Sequence, residues 1–371
     1  MKIAILKETR AAETRVAATP ETVKKLIALG AEVSVAAGAG AGASLPDKMY
    51  QDAGAKIEDA ITDAGVVLCV RPPAAPLLSK MKKDAVLIGL LSPYQEKDLL
   101  KSCAAQNIAA FSMELVPRIT RAQGMDVLSS QASLAGYRAV LEAAHEFGHG
   151  FPLMMTAAGT VPPAKVFVMG AGVAGLQAIA TARRLGAQVS ATDVRPAARE
   201  QVQSLGATFV MVESEETKAA ETAGGYAKEM SDDYKQKQAA LVADTVKKQD
   251  IVITTALIPG KKAPVLVSEE MVKSMKPGSV IVDLAVEQGG NCALSKPGEV
   301  TEIAGVRIVG HLNMPGRIAA DASALYARNL LNFLMPMIDK DSKALKINWE
   351  DDIIKATALT RDGQIIHPSF K

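Results

Sequence analysis

Aromatic residues are scarce in this chain, at 4% of 371 residues. Because β-sandwiches depend on aromatic and β-branched side chains, this scarcity favours a helix-rich α/β protein. The three cysteines, Cys69, Cys103 and Cys292, are odd in number, lie far apart and form no CxxC pair. The sequence therefore predicts neither a disulfide framework nor a zinc knuckle, and a reducing compartment is expected.

An excess of one charge and a long apolar run are also missing. Lys and Arg total 42 and Asp and Glu total 40, which argues against a nucleic-acid binder. The longest apolar stretches, Ala85–Leu91 and the region around Leu330–Ile338, fall short of the roughly 20 residues that a membrane span needs. The apolar run near Met1 is too short for a signal peptide. With 49% hydrophobic residues, we expect a soluble chain of about two domains.

Strand and helix signals alternate along the chain, a pattern that predicts parallel sheets. Thr19 and Pro20 mark the start of the first helix, as N-cap and first helical residue. Predicted strands in the first region are Ile3–Leu6, Glu32–Ala36, Val66–Val70, Ala85–Leu90 and Ile108–Ser112. Those in the second region are Lys165–Met169, Gln188–Thr192, Thr208–Val212, Asp250–Thr255, Ser279–Leu284 and Arg307–Val309.

Two long helices interrupt the alternation. Apolar residues at helical spacing predict one over Met125–Phe147 and another over Ala320–Ile338. Phe151–Pro163, rich in Pro, Met and Gly, is interpreted with the first helix as a domain crossover. The fold class predicted is α/β, with two Rossmann-like parallel-sheet domains separated by a cleft and joined by two long helices. Residues 1–128 with 315–371 would form the first domain and residues 129–314 the second, and the cleft would be the usual place for a ligand.

A glycine-rich motif follows the first strand of the second region. Lys165–Met169 leads into Gly170-Ala-Gly172-Val-Ala-Gly175, a helix follows to Leu185, and the next strand ends at Asp193. The glycines permit a tight turn, close approach to a pyrophosphate and close packing of helix on strand. The helix N-terminus favours phosphate, and the Asp193 carboxylate would accept hydrogen bonds from the adenosine ribose. The order of these parts predicts a dinucleotide site, and Asp193 favours NAD(H) because it repels a 2′-phosphate, which the nearby Arg195 would soften without reversing.

A second glycine-rich segment, Gly38–Ala43, formally matches the same pattern. Pro46 follows where a phosphate-binding helix should already be running. A loop of small residues is the better interpretation.

Long strings along nearly the whole chain make it similar to the NAD(H)-binding component, domain I of the alpha subunit, of proton-translocating NAD(P) transhydrogenase. These strings are Lys7–Pro20, Arg118–Gln131, Met155–Gly159, Ala191–Pro196, Glu221–Met230, Ile253–Gly260 and Asn348–Glu350. The resemblance implies direct hydride transfer between NADH bound here and NADP+ on a membrane-linked NADP(H)-binding subunit, coupled to proton translocation. It further implies a homodimer, located in the cytoplasm at the inner face of the membrane through that partner.

The resemblance also identifies site residues. Arg118–Asp126 would meet the nicotinamide, with Arg118, Gln123 and Asp126 as the catalytic set. Independently of the resemblance, Glu213–Lys237 is polar, has no apolar period and is unusually long for a connection within a domain, which predicts a lid with Gly224 and Gly225 as hinge and Tyr226 as an aromatic latch. The residues expected to contact NAD(H) are Arg118, Gln123, Asp126, Ser129, Gly170, Ala171, Gly172, Val173, Gly175, Asp193, Val194, Arg195, Gly225, Tyr226, Gln238 and Leu257.

Two other functions stay open, an NAD-dependent alanine dehydrogenase and a non-catalytic NAD(H) sensor. Alanine dehydrogenase shares the architecture and resembles this chain at Arg15, its expected carboxylate anchor. Its expected lysine, histidine and aspartate fall at Arg71, near Leu91–Ser92 and at Glu287, where this chain departs. Reduction of an imino acid needs a proton donor, whereas hydride transfer between two nicotinamides needs mainly positioning. The histidine after the last strand, His311, is interpreted as structural.

Overall fold

The computed structural model describes residues 1–212, 231–258 and 260–371. It divides into two compact units, Met1–Gln131 with Pro315–Lys371, and Ala132–Met314. Each unit contains a sheet of mainly parallel strands, which confirms the α/β fold predicted from the alternating pattern. In the part of the chain that the model describes, no helix combines the length and apolar character required to span a bilayer.

The first unit is built on a six-stranded sheet whose pairings are all parallel. The strands are β1 Lys2–Ile5, β2 Glu32–Val35, β3 Lys56–Ile57, β4 Val66–Leu68, β5 Val86–Gly89 and β6 Ala109–Ser112. Their order in the sheet is β3-β2-β1-β4-β5-β6, and apolar clusters cover both faces. The helices are α1 Pro20–Ala28, α2 Asp47–Asp52, α3 Ala75–Leu78 and α4 Lys97–Ala105, followed by α5 Val127–Glu146, which contains the boundary between the units.

The second unit has a seven-stranded sheet. Its strands are β9 Lys165–Met169, β10 Gln188–Thr192, β11 Thr208–Phe209, β12 Ile251–Thr254, β13 Val280–Asp283, β14 Val300–Ile303 and β15 Val306–Val309. Their order is β11-β10-β9-β12-β13-β15-β14, and among the described strands of this sheet only β14 pairs antiparallel, on the edge. A separate antiparallel pair comprises β7 Met154–Thr156 and β8 Gly159–Val161, and the helices are α6 Val173–Arg184, α7 Ala198–Ser204, α8 Asp232–Val246 and α9 Glu269–Lys273.

The chain then returns to the first unit through α10, Ala319–Leu334, which lies wholly within that unit. A single 3₁₀ turn, Met335–Met337, ends it, because Pro336 lacks the N–H that an α-helix would need. The remaining elements are α11 Asp352–Thr357 and the strand pair β16 Thr360–Arg361 and β17 Gln364–Ile365. Thr360 joins this tail to the sheet, donating its hydroxyl to Ile108 O at 2.7 Å and accepting from Ala110 N at 3.0 Å.

Several elements differ from the sequence expectations. The crossover segment Phe151–Pro163 contains the β7–β8 hairpin, because Gly159, at φ +141°, allows the chain to reverse. The strands β3 and β14 had too few apolar residues to be predicted. The described part of Glu213–Lys237 begins at Ser231 and includes the start of α8 at Asp232, so the end of the segment predicted to be irregular is helical.

Candidate dinucleotide site

The glycine motif forms a tight turn between β9 and α6. Gly170 has φ +105°, a conformation that side chains with a Cβ rarely adopt. A Cβ on Gly175 would overlap the carbonyl oxygen of Gly170, so this glycine lets the helix lie directly against the end of the strand. Thr255 Oγ1 donates to the same carbonyl at 3.1 Å and fixes the turn from the neighbouring strand β12.

The space in front of α6 is open. A Cβ added at Gly172, the N-cap residue, would meet no described protein atom within 4 Å. No side chain caps this helix end in the described part of the chain. The N–H groups of the first turn cannot bond within the helix, and together with the helix dipole they suit an anion. The residues present therefore fit a bound pyrophosphate.

Asp193 follows β10 beside this turn, and its carboxylate accepts hydrogen bonds from two sides. Ala171 N, in the glycine turn, donates at 2.7 Å, and Arg195 donates through its backbone N, Nε and Nη2 at 2.8, 2.9 and 3.0 Å. Burial opposes the ionised form, but the hydrogen bonds from Arg195 and Ala171 outweigh it and lower the pKa of Asp193. The carboxylate thus stays ionised at neutral pH, and Arg195, 43% exposed in its side chain, is the partner that ribose hydroxyls could replace.

Apolar side chains flank the glycine turn at the carboxyl edge of the sheet. Val194 is 79% exposed, Leu257 49% and Val173 45%. They follow β10, β12 and the glycine turn respectively, where open parallel sheets bind nucleotides. These three predicted contact residues are therefore accessible to a ligand.

Gln238, on α8, is engaged with protein atoms. Its Nε2 donates to Thr192 Oγ1 at 3.2 Å, and its Oε1 accepts from Val212 N at 2.8 Å. The side chain thus ties the helix to the chain at the end of β10 and beyond β11, near Asp193. The hypothesis of a lid with Gly225 and Tyr226 lies outside the described residues, which resume at Ser231.

In the first unit, the predicted nicotinamide loop forms a 3₁₀ segment, Thr120–Met125. The side chains of Arg118 and Gln123 are exposed and make no hydrogen bond or ion pair with the described part of the protein. Asp126 instead caps α5, accepting from Ser129 N at 2.9 Å and Ser129 Oγ at 2.5 Å. Of the four predicted contact residues, Asp126 and Ser129 thus bond to each other, while Arg118 and Gln123 expose their polar groups to solvent.

Contacts from α10 and the C-terminal tail hold this loop in place. Asn329 and Asn332 each donate from Nδ2 to the carbonyl oxygen of Gly124 at 2.9 Å. Arg121 pairs with Asp351 through two hydrogen bonds, at 2.7 and 3.1 Å. The sequence did not predict a role for these asparagines, because no local pattern links them to a loop about 200 residues earlier in the chain.

The second glycine-rich segment is filled by protein atoms. Gly38 N donates to both carboxylate oxygens of Asp47, at 2.9 and 3.1 Å. A Cβ on Gly40 would lie 2.5 Å from Leu45 O, and one on Gly42 would lie 2.7 Å from Thr14 O. This segment therefore offers no open cradle, among the described residues, comparable to that at Gly172.

A buried ionic cluster occupies the position where alanine dehydrogenase would anchor a carboxylate. Arg15 donates to Glu13 through Nε at 2.8 Å and Nη2 at 2.7 Å, and through Nη1 to Gln131 Oε1 at 2.8 Å. Arg71 Nε also donates to Glu13, at 3.0 Å. Burial raises the pKa of Glu13, but the hydrogen bonds and charge of Arg15, together with the charge of Arg71, lower it to about 2. The side chain of Arg15 is 2% exposed, and the Glu13 carboxylate already neutralises its charge.

At the other two positions compared with alanine dehydrogenase, Leu91–Ser92 and Glu287, the residues also bond to other groups of the protein. Glu114 accepts from Leu91 N at 3.0 Å and Ser92 N at 2.6 Å, and its burial raises its pKa. Glu287 accepts from Asn313 N. His311, the histidine interpreted as structural, lies with Nε2 at 3.5 Å from a carboxylate oxygen of buried Glu142.

A further glycine, distant in sequence, lies against the start of α6. A Cβ on Gly136, in α5, would overlap the carbonyl oxygen of Ala174, in the first turn of α6. In the sequence, Gly136 is only a residue of low helix propensity within a predicted helix.

Comparisons with known proteins agree with this geometry. The alanine dehydrogenase/PNT N-terminal domain family matches residues 4–135, and the C-terminal domain family matches residues 139–368. The first part of NAD(P) transhydrogenase subunit alpha of Rhodospirillum rubrum is 56% identical, over 100% of this chain and 99% of its own length. The crystal structure of a transhydrogenase from Sinorhizobium meliloti superposes with a TM-score of 0.91 at 56% identity, covering 99% of this chain and 100% of that one.

Similarity to alanine dehydrogenase is weaker. The enzyme from Halomonas elongata is 30% identical over 99% of this chain and 95% of its own length. The fold, the open glycine turn and these similarities together show that the chain belongs to the alanine dehydrogenase/PNT family and, within it, to the alpha subunits of NAD(P) transhydrogenase, which are oxidoreductases using nicotinamide nucleotides.

Proposed function

We propose that this chain is the NAD(H)-binding component of a proton-translocating transhydrogenase. The observation that carries the proposal is the glycine turn at Gly172, which has open space in front of a helix N-terminus and an ionised carboxylate, Asp193, beside it. The turn supplies N–H donors for a pyrophosphate, and Asp193 supplies acceptors for ribose hydroxyls.

Asp193 and Arg195 support NAD(H) over NADP(H) at this site. A 2′-phosphate at the adenosine ribose would bring negative charge against the Asp193 carboxylate. Arg195 could offset part of this repulsion, but its guanidinium is already paired with that carboxylate at 2.9 and 3.0 Å. NADP(H) is therefore assigned to the partner subunit.

Gln123, Asp126 and Arg118 form the proposed catalytic set because they would position the nicotinamide ring. When bound, NADH supplies a hydride from C4 of its ring to C4 of the NADP+ ring, which yields NAD+ and NADPH without releasing a proton. No side chain needs to act as an acid or base, so the residues contribute through orientation. The exposed amide of Gln123 would bond the carboxamide, Asp126 and Ser129 the ribose hydroxyls, and Arg118 a phosphate or the second nucleotide.

The partner is proposed from the name of the relatives. The Rhodospirillum rubrum protein is named as the first part of a subunit alpha, which implies further subunits in its enzyme. We assign this chain the same place, as a homodimer on the cytoplasmic face of a membrane, bound through an NADP(H)-binding subunit that couples hydride transfer to proton movement.

The test measures both reactions on one preparation. The purified chain should bind NADH, measured by nucleotide fluorescence, and should reduce NADP+ only when the NADP-binding subunit is added. Alanine with NAD+, and pyruvate with ammonia and NADH, are the competing assays. Steady turnover of either pair by the chain alone would favour the dehydrogenase, and NADH binding without any transfer to the partner would favour a sensor.

A further inference from the structure

The strand next to β12 ends in a carboxylate that organises a loop. Asp283, fully buried at the end of β13, accepts hydrogen bonds from five groups of the described chain. Thr254 Oγ1 and Ala285 N donate to its Oδ1 at 3.2 and 2.9 Å. Asn291 N, Cys292 N and Ser295 Oγ donate to its Oδ2 at 2.9, 3.0 and 2.6 Å.

Two consecutive glycines allow this arrangement. Gly289 and Gly290 have φ +96° and +77°, and a Cβ on Gly290 would lie 2.9 Å from Asp283 Oδ2. The chain therefore turns back so that Asn291 is placed with its backbone against Asp283 and is itself fully buried.

The side chain of Asn291 points in the other direction, to the loop that follows β12. Its Oδ1 accepts from Ala256 N at 2.9 Å, and its Nδ2 donates to Ala256 O at 2.9 Å and to Pro264 O at 2.8 Å. The amide thus pairs with both backbone groups of Ala256, as a neighbouring strand would. The two bonds to Ala256 fix the backbone immediately before Leu257, and the bond to Pro264 holds a later residue that follows the same strand.

The position of Ala256 in the sheet gives this contact a function. The order β10-β9-β12 places Asp193 after one neighbour of β9 and Ala256 after the other. A dinucleotide whose adenosine ribose binds Asp193 and whose pyrophosphate binds the β9 turn must extend its second half over the β12 side. We propose that Asn291 is a positioning residue for the nicotinamide half of the dinucleotide, acting through the backbone of Ala256. This inference rests on the proposed NAD(H) site.

The experiment compares the binding of the whole dinucleotide with the binding of its adenosine half. Binding of NADH and of AMP, which contains only the adenosine half, is measured by isothermal titration for the wild-type chain, Asn291→Ala and Asn291→Ser. Both substitutions remove the three hydrogen bonds to the β12 loop. We expect about a tenfold loss of NADH affinity with AMP affinity within about twofold of wild type, since only the nicotinamide half loses its support.

Ser295→Ala is the matched control. It removes the hydrogen bonds that the Ser295 hydroxyl donates to Asp283 and to Cys292 O. The three bonds from Asn291 to Ala256 and Pro264 stay, so the ratio of the NADH and AMP affinities should match that of the wild type. Parallel losses of NADH and AMP binding in both Asn291 variants, or unchanged NADH binding, would overturn the inference. A wild-type chain that binds neither ligand would instead refute the proposed function.

Discussion

Arg195 and Asp193 form a two-point ion pair at the end of β10, with Nε to Oδ1 at 2.9 Å and Nη2 to Oδ2 at 3.0 Å. Arg195 therefore bonds to the carboxylate oxygens that would accept hydrogen bonds from the ribose hydroxyls. It also places a positive charge where a 2′-phosphate would bind. Under the proposed function, the choice between NAD(H) and NADP(H) at this site would depend on the balance between these two side chains.

The first prediction concerns this balance. Asp193→Ala should weaken NADH binding by about 1–3 kcal/mol, since hydrogen bonds to a charged group are lost. Asp193→Asn keeps an acceptor for Ala171 N but removes the charge, so the preference for NADH over NADPH should narrow. Fluorescence titration with both nucleotides measures this, and a wild-type chain with equal affinity for NADPH would contradict the assignment.

The second prediction separates rate from affinity at the nicotinamide loop. Gln123→Asn keeps the amide but withdraws it by one methylene, so NADH binding should survive while transfer to partner-bound NADP+ falls at least about tenfold, because small misplacements are costly. Stopped-flow mixing with an NADH analogue of distinct absorbance follows the transfer. Gln203→Asn, an exposed glutamine on α7, is the control. Transfer at the wild-type rate in the Gln123 variant would exclude a positioning role.

The third prediction concerns the hydrogen bonds that hold the predicted nicotinamide loop in place. Gly124 O accepts from both Asn329 and Asn332, so either single alanine variant should leave one donor in place. The double variant should loosen the loop, although the Arg121–Asp351 pair remains, and should speed tryptic cleavage after Arg118 or Arg121. Cleavage rates under native conditions report this, and equal rates in the single and double variants would show that the two bonds do not substitute for each other.

The fourth prediction follows from Glu8. Burial raises the pKa of Glu8 to about 7 against the opposing backbone N–H bonds of Val70 and Arg71, with Glu13 adding to the rise and Arg15 reducing it. Between the ordinary pKa of 4.5 and about 7, the folded state holds a proton that the unfolded state has lost. The contribution of Glu8 to the free energy of unfolding should therefore fall as pH rises through this window, by at most about 1.4 kcal/mol per pH unit.

Glu8→Gln should flatten this dependence. Urea unfolding can be followed by the fluorescence of Trp349, which stacks on Phe111 within the first unit at 5.7 Å. Asp98→Asn, a change on the exposed face of α4, provides the comparison. If the Glu8→Gln variant kept the wild-type slope between pH 5 and 7, a raised pKa at Glu8 would be refuted.

The fifth prediction is that the purified chain does not oxidise alanine with NAD+ at a meaningful rate. Arg15 is neutralised by Glu13 and also donates to Gln131, and the sequence has no histidine near Ser92. Absorbance at the NADH wavelength measures the reaction, with an authentic alanine dehydrogenase as the positive control. Sustained NADH formation would move the assignment to the dehydrogenase.

Local sequence was enough to predict the glycine turn and its surroundings. The motif, the helix and β10, which Asp193 follows, are consecutive in the chain, so their order could be recognised from sequence alone. Burial patterns likewise predicted the inner strands, because strands covered on both faces read as apolar runs. The edge strand β14 has exposed residues at Val300 and Glu302, so the same rule did not find it.

Contacts between distant segments were beyond such reasoning. The pairing of Asn291 with Ala256 depends on two strands lying side by side and on a double glycine turning the chain back. The bonds of Asn329 and Asn332 to Gly124 depend on the return of the chain to the first unit. An asparagine in sequence gives no sign of which backbone it will bind, since the partner is chosen by the fold.

Gly136 has a consequence for the whole glycine motif. Its missing side chain leaves room for the Ala174 carbonyl, and that carbonyl belongs to the turn whose N–H groups would hold the pyrophosphate. A methyl group there would displace the first turn of α6 while leaving every residue of the motif unchanged. The close packing of α5 on the start of α6 thus depends on Gly136, a glycine that lies outside the contiguous motif.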